Sequence, residues 1–342
     1  MGILASKKLA LVFPGQGSQA VGMGKDLAES FPAAAGIFQR ADAVLDFSIS
    51  DLCFNGPEDD LKQTINTQPA LYVTSAAAFA VFRDLGFGQA PQACAERNSE
   101  TPALLFTAGH SVGEYAALYT AGAFSFETGL QLVRKRAELM QRAGQENPGT
   151  MAAILGLSPE QVEEVVAKAC FDKLSMKDGG AMKDGGVVVA ANFNSPIQTV
   201  ISGDEKGVAR ASEIASEMGA KRVAPLNVSG AFHSPLMQGA ADALADALAA
   251  ADIADPAVPV VANFSADIET TAAQVRENLA RQITGSVRWV ESVQKMLDSG
   301  VDAFIELGSG SVLAGLIKRI APDAEVYSVG DKASVEGLSG VL

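Results

Sequence analysis

Ser111 stands in Gly109-His110-Ser111-Val112-Gly113, a G-x-S-x-G pattern. An apolar run (Ala103, Leu104, Leu105, Phe106) precedes it and small helix formers (Ala116, Ala117, Leu118) follow. Strand, sharp turn with serine at the apex, then helix is the context of a nucleophile elbow. Glycines flank the turn because its tight backbone leaves little room for side chains. The turn pushes the hydroxyl out of the sheet. It also aims the helix's first free N–H groups, that of Val112 foremost, at whatever the hydroxyl attacks, so an oxyanion forming there meets donors. Such a hydroxyl needs a base. The chain has two histidines, His110 and His233. His110 adjoins Ser111, and on a sharp elbow its side chain is expected to point elsewhere. A histidine base for Ser111 is therefore His233 or none. His233 lies in Val228-Ser229-Gly230-Ala231-Phe232-His233-Ser234-Pro235, a small-residue loop between an expected strand and an expected helix.

Two other stretches carry chemistry. Gly15, Gly17 and Ala20 fit G-x-G-x-x-A, so a dinucleotide loop is one reading. Pro14 and the further glycines Gly22 and Gly24 fit that reading poorly, and no acidic residue closes a second strand about 20 residues on. The other reading is a loop that brings the Gln16 amide close to a reacting carbonyl. The helix expected over 125–142, capped by Ser125, carries Arg134, Lys135, Arg136 and Arg142. A basic helix face is ordinarily solvated. Arg136, however, borders the apolar stripe of Leu132, Val133, Leu139 and Met140, where an arginine lines a cleft and holds a carboxylate by a bidentate pair.

The elements that must position these residues alternate. The pattern predicts strands over 8–13, 103–106, 258–262 and 303–307. Helices are expected over 26–46, 67–85 (Pro69 in its first turn), 236–251, 271–282, 287–299 and from 311 to 320. Alternation of this kind implies a mainly parallel sheet with helices on both faces. Between the halves, strands over 151–157, 187–193, 198–202 and 221–226 with helices over 158–170 and 204–218 give βαββαβ, the ferredoxin-like unit. We therefore expect an α/β chain with a discontinuous core (1–148 and 227–342) and a small inserted domain (149–226). Residues 90–101 read as a polar surface loop. The duplicated MKDGG of 176–186 reads as an exposed loop without chemistry.

Composition bounds the function. Of 342 residues, 48% are hydrophobic and 19% charged, a globular balance with length for a large core. No apolar run reaches the ~18 residues of a membrane span, and the N-terminus lacks a signal peptide's apolar stretch. Gly2 with Ser6 fits a loose myristoylation pattern, but a strand already begins at Lys7 or Lys8. Cys53, Cys94 and Cys170 are isolated, which suits a reducing compartment and argues against a zinc site or a disulfide frame. The net charge of −14 disfavours nucleic acid and anionic membranes as partners.

Taken together, the motifs resemble the malonyl-CoA:acyl carrier protein transacylase family. The matching stretches are Phe13-Pro14-Gly15-Gln16-Gly17-Ser18-Gln19, Thr67-Gln68-Pro69-Ala70-Leu71, Gly109-His110-Ser111-Val112-Gly113-Glu114-Tyr115 and Arg136 with Met140-Gln141. Asn192-Phe193-Asn194-Ser195-Pro196, Gly230-Ala231-Phe232-His233-Ser234, Arg281-Gln282 before Val287-Arg288-Trp289, and Glu306-Leu307-Gly308 continue the series. The resemblance implies an α/β-hydrolase-like core with a ferredoxin-like insertion. It implies an acyltransferase that moves malonyl from malonyl-CoA to holo acyl carrier protein, ping-pong, through a malonyl-serine, in fatty acid or polyketide synthesis. By resemblance Ser111 is the nucleophile and His233 its base, a Ser-His dyad. Gln16 and the Val112 N–H are the oxyanion donors. Arg136 anchors the malonyl carboxylate, with Met140, Phe232 and Gln282 also at the substrate, Gln282 helping to orient the histidine. No cofactor is implied, a monomer is expected, and the location is cytoplasmic, or plastid if a transit peptide has been removed. The segments 90–101 and 176–186 are longer than the family usually has.

Two rivals remain at this point: a serine thioesterase or esterase, and a non-catalytic nucleotide-binding domain on Gly15-x-Gly17. A hydrolase triad runs serine, acid, histidine. The intervening Asp172, Asp178, Asp184 and Asp204 all fall in the expected insertion. Carrier proteins are acidic, so docking needs a local basic patch, expected around Lys135, Arg142, Lys318 and Arg319.

Overall fold

The computed structural model describes residues 7–87, 103–170 and 186–339. The Gly2/Ser6 pattern, the 90–101 segment, Cys94, Asp172, Asp178, Asp184 and the duplication up to residue 185 lie outside them. The first part of the chain runs β1 (Lys8–Phe13), α1 (Lys25–Ser30), α2 (Pro32–Leu45), α3 (Ile49–Asn55), α4 (Glu58–Leu61) and α5 (Thr64–Asp84). Then come β2 (Ala103–Gly109), α6 (Gly113–Thr120), α7 (Phe126–Glu146), β3 (Thr150–Leu155), α8 (Pro159–Cys170), β4 (Val188–Ser195), β5 (Gln198–Gly203), α9 (Glu205–Glu217) and β6 (Arg222–Pro225). A short 3-10 turn, Pro235–Met237, leads into α10 (Gln238–Ala250), β7 (Val260–Val261), β8 (Ile268–Glu269), α11 (Ala272–Gln282) and α12 (Trp289–Asp298). The chain continues through β9 (Ala303–Leu307), α13 (Val312–Ile320), β10 (Glu325–Val329) and α14 (Lys332–Ser339).

Two sheets organise the chain. The larger has the order β10-β9-β1-β2-β7-β8 and is parallel except where β8 turns back on β7. Period-two alternation puts Leu9, Leu11 and Phe13 of β1 into one apolar cluster and Ala10 and Val12 into another, so helices cover both faces. The smaller sheet, order β4-β5-β3-β6, is antiparallel and spans residues 150 to 225. With α8 and α9 it is the βαββαβ unit. On β3, Ala152 and Ile154 pack under those helices while Met151 and Ala153 join the large core. The inner face of the small sheet thus lies against the elbow.

The structure departs from the sequence pattern at a few places. The helix expected over 26–46 is two helices. Pro32 opens the second, and the residue before it, Phe31, is extended (φ −129°, ψ 115°), as sterics with the pyrrolidine ring require. Pro69 sits inside α5, which begins at Thr64, rather than in its first turn. The hydrogen bond it cannot make leaves the Ile65 carbonyl free, and Arg134 Nη1 donates to that oxygen at 3.0 Å. The strand expected over 258–262 shrinks to two residues, and α3, α4, β8, β10 and α14 come in addition.

Candidate active site

The elbow forms because three backbones crowd at one point. A Cβ on Gly109 would lie 2.0 Å from the Gly113 carbonyl carbon, and one on Gly113 would lie 2.2 Å from the Phe13 oxygen. Ser111 at the apex takes the left-handed conformation, φ 52°. A non-glycine residue held there costs on the order of 1 kcal/mol, so its surroundings must hold it. Side chains do so on both sides. Asn263 Oδ1 accepts from the Ser111 N–H at 2.6 Å, and Gln282 Nε2 donates to the Ser111 oxygen at 3.0 Å.

His233, also left-handed at φ 57°, reaches the elbow from the loop after β6. Its Nε2 lies 2.8 Å from Ser111 Oγ, and its Nδ1 lies 2.8 Å from the Gln282 main-chain oxygen and 3.2 Å from that of Gly285. A carbonyl only accepts, so Nδ1 carries the proton and Nε2 is free to take the serine's. Burial, and next the Arg136 cation, push the imidazole down to about 3, so it is neutral at physiological pH. Asp204, the one described acid among the triad candidates, caps α9 by accepting from Gly207 N at 2.7 Å. His110 turns away, as the elbow requires: its Nε2 bonds Asn194 Oδ1 at 2.8 Å and its ring packs edge-on to Trp289.

Arg136, 1% exposed, is buried beside Ser111. Its Nη2 donates to Ser111 Oγ at 3.0 Å and to Gln282 Oε1 at 2.9 Å, and its Nη1 to Gln68 Oε1 at 2.7 Å. Among the described residues no carboxylate oxygen lies within ion-pair distance of it, so its charge is left for a ligand. Burial lowers its pKa. One turn on, Gln68 Nε2 donates to Met140 Sδ at 3.5 Å. Arg136, Met140, Phe232, Gln16, Ser111 and His233 are among the residues lining a cavity of about 140 Å³. Gln16 Nε2 lies 3.5 Å from Thr64 Oγ1. The Val112 N–H lies at the start of α6, among the first-turn groups that a helix leaves without an intrahelical acceptor. Gln16 also borders a 430 Å³ cavity between α13 and the small sheet, which extends to Arg319, and a 350 Å³ polar one by Lys62 and Gln145.

Some positions differ from the roles the resemblance implies, and others carry roles it did not give. Gln282 orients His233 through its main-chain oxygen, while its side chain joins Arg136, Ser111 O and Glu114 Oε2 (2.8 Å). The resemblance gives no role to Gln68, Glu114, Asn194 or Asn263. A glutamate in the first turn of the helix after the elbow is the one visible signal, since it complements the helix dipole. A Cβ on Gly15 would lie 2.4 Å from the His110 oxygen, so that glycine is required by packing on the elbow rather than by a dinucleotide. Of the basic patch, Lys135 and Arg142 lie on the exposed side of α7, Arg142 at 3.8 Å from Glu146, and Lys318 and Arg319 lie on α13. Among the described residues no helix is long and apolar enough to cross a membrane.

Comparison with known proteins agrees with this geometry. Residues 10–330 match the acyl transferase domain family. The malonyl CoA-acyl carrier protein transacylase of Bacillus subtilis is 45% identical over 329 residues, covering 96% of this chain and 95% of that protein. A crystal structure of an acyl carrier protein S-malonyltransferase from Vibrio cholerae superposes with a TM-score of 0.86 at 40% identity, over 97% of this chain and 99% of that one. A malonyl-transacylase solved in complex with a holo type II polyketide synthase acyl-carrier protein gives 0.86 at 38% identity, over 98% and 99%. The mixed α/β fold, the elbow and these relatives place the chain in the acyl transferase domain family, as a malonyl CoA-acyl carrier protein transacylase.

Proposed function

We propose that this chain transfers malonyl from malonyl-CoA to the phosphopantetheine thiol of holo acyl carrier protein, with Ser111 as the covalent carrier and His233 as its base. The observation that carries the reading is one hydroxyl, Ser111 Oγ, lying 2.8 Å from His233 Nε2 and 3.0 Å from Arg136 Nη2. Ser111 Oγ attacks the malonyl thioester carbonyl as its proton passes to His233 Nε2. Gln16 and the Val112 N–H stabilise the oxyanion; one such donor typically contributes ~2.7–4 kcal/mol. The intermediate collapses, the C–S bond breaks, and the CoA thiolate leaves with the proton from His233. The carrier thiol then attacks malonyl-Ser111, again giving its proton to His233, and Ser111 is released. Arg136 holds the malonyl carboxylate against the walls made by Met140 and Phe232. The chemistry needs no cofactor, malonyl-CoA entering as substrate.

The net charge of −14 supports a reading without nucleic acid, and the isolated cysteines support a reducing, cytoplasmic setting; we read the chain as acting as a monomer. Initial rates against both substrates test the scheme. Ping-pong transfer gives parallel double-reciprocal lines; intersecting lines would rule out a free malonyl-enzyme.

A further inference from the structure

The elbow is held from behind by a buried polar network, two of whose members, Asn263 and Glu114, take no part in the transfer chemistry. Asn263, fully buried, spans the turn: its Nδ2 donates to Gly109 O at 2.6 Å and its Oδ1 accepts from Ser111 N at 2.6 Å. The Asn263 main-chain N–H donates in turn to Glu114 Oε2 at 2.9 Å. The same carboxylate oxygen accepts from Gln282 Nε2 at 2.8 Å, and that nitrogen also donates to Ser111 O at 3.0 Å. Both peptide groups of the left-handed serine are therefore tied, through two different side chains, to one buried oxygen. The other oxygen, Glu114 Oε1, has no partner among the described residues.

We propose that Asn263 is a positioning residue for Ser111, and that Glu114 is the anchor that sets Asn263 and Gln282 against the elbow. Three observations carry this. Left-handed backbone at a serine persists only where its surroundings over-determine it, and these bonds supply the determination. The Ser111 N–H is consumed by Asn263, so the elbow offers an oxyanion only the next N–H, that of Val112; freeing Ser111 N would change the donor set. Gln282 also holds Arg136, so the clamp joins the nucleophile and the cation in one frame. Burial raises the Glu114 pKa, opposed by its hydrogen bonds to Asn263 and Gln282, which fits a carboxylate kept for its acceptor capacity.

The proposal rests on the malonyl-serine reading, and its test separates the two. Rapid-quench mass measurement of malonyl-Ser111 formation gives an amplitude, which counts competent enzyme, and a rate. For Asn263→Ala the rate is expected to fall on the order of 10²-fold at saturating malonyl-CoA, the scale of a misplaced reacting group, with half-saturation little changed because the cavity walls remain. A merely structural role would lower the amplitude or the Tm and leave the rate. If Asn263→Ala does not fold, Glu114→Ala and Glu114→Gln decide. The alanine should slow acylation as Asn263→Ala would, and the glutamine by less, since one amide oxygen still accepts from both donors. A wild-type rate in Asn263→Ala, or equal losses in the two Glu114 variants, overturns the clamp. Absence of any adduct on the wild type overturns the malonyl-serine reading instead.

Discussion

His233 donates its Nδ1–H to the main-chain oxygen of Gln282 at 2.8 Å, in the place where a serine triad carries a carboxylate. A neutral carbonyl fixes the ring and its tautomer without adding negative charge. Burial first, and then the Arg136 cation, oppose protonation and outweigh the Gln282 and Gly285 carbonyls, which favour it, so the imidazole falls from 6.5 to about 3. The base therefore stays unprotonated well below the ordinary histidine range. Between about 3 and 6.5 the unfolded chain binds this proton and the folded chain does not. The stability His233 contributes is thus complete above 6.5 and lost as pH falls toward 3. We expect kcat/KM to show no break near pH 6.5. In Arg136→Ala, followed with acetyl-CoA, the acidic limb should move upward because a cation that depresses it is gone. A wild-type break at 6.5 would contradict this account of the base.

The proposed transfer makes Arg136 the selective element. Arg136→Ala should lose malonyl transfer, while acetyl transfer survives or rises. A charge-assisted hydrogen bond contributes on the order of 1.5–3 kcal/mol, or roughly 10- to 150-fold. Competition between malonyl-CoA and acetyl-CoA measures the ratio. Equal loss of both substrates would remove Arg136 from the carboxylate site.

The parts legible in the sequence are those whose signal is local or scarce. The elbow shows as glycines around a serine between strand and helix. His233 shows because only one other histidine exists. Arg136 shows because it borders an apolar stripe on an amphipathic helix. The partner of His233 does not show, because a main-chain oxygen belongs to every residue. Asn263 does not show either. It meets Ser111 across 152 positions, from the turn after a strand two residues long, and a lone buried asparagine has no periodic signature. The split at Pro32 was available in the sequence, since a residue before proline leaves the helical region.

Glu306 links the main sheet to α13, a wall of the 430 Å³ cavity beside the small sheet. Its carboxylate accepts from Leu313 N at 3.0 Å and Ala314 N at 2.8 Å, capping the start of α13, the helix that bears Arg319. Glu306→Ala leaves both donors without that partner and should cost about 1–3 kcal/mol in thermal or denaturant unfolding. Burial pushes Glu306 up from 4.5 to about 7, so between those values the folded chain holds a proton that the unfolded chain has lost. The Glu306 contribution therefore declines as pH rises across that window, and Glu306→Gln should remove that part of the slope. A Glu306→Ala protein as stable as wild type would show that the cap contributes nothing.

An acidic carrier docking at the 430 Å³ cavity between α13 and the small sheet would meet Arg319, whose Nη1 bonds Gln198 Oε1 at 3.1 Å, with Lys318 the preceding residue of the same helix. Replacing both with glutamate should raise KM for holo carrier protein and flatten its dependence on salt, because steering by exposed charge is screened. The same reversal at Lys135 and Arg142 tests the other half of the patch. An unchanged KM at either pair takes that pair out of the docking surface.

The most direct measurement is the intact mass of the protein after incubation with malonyl-CoA, for wild type and Ser111→Ala, followed by addition of holo carrier protein. The account predicts one malonyl adduct on the wild type only, discharged to the carrier. Steady CoA release with no adduct and no response to carrier protein would contradict it, and would instead identify the Ser111–His233 pair as a thioesterase site.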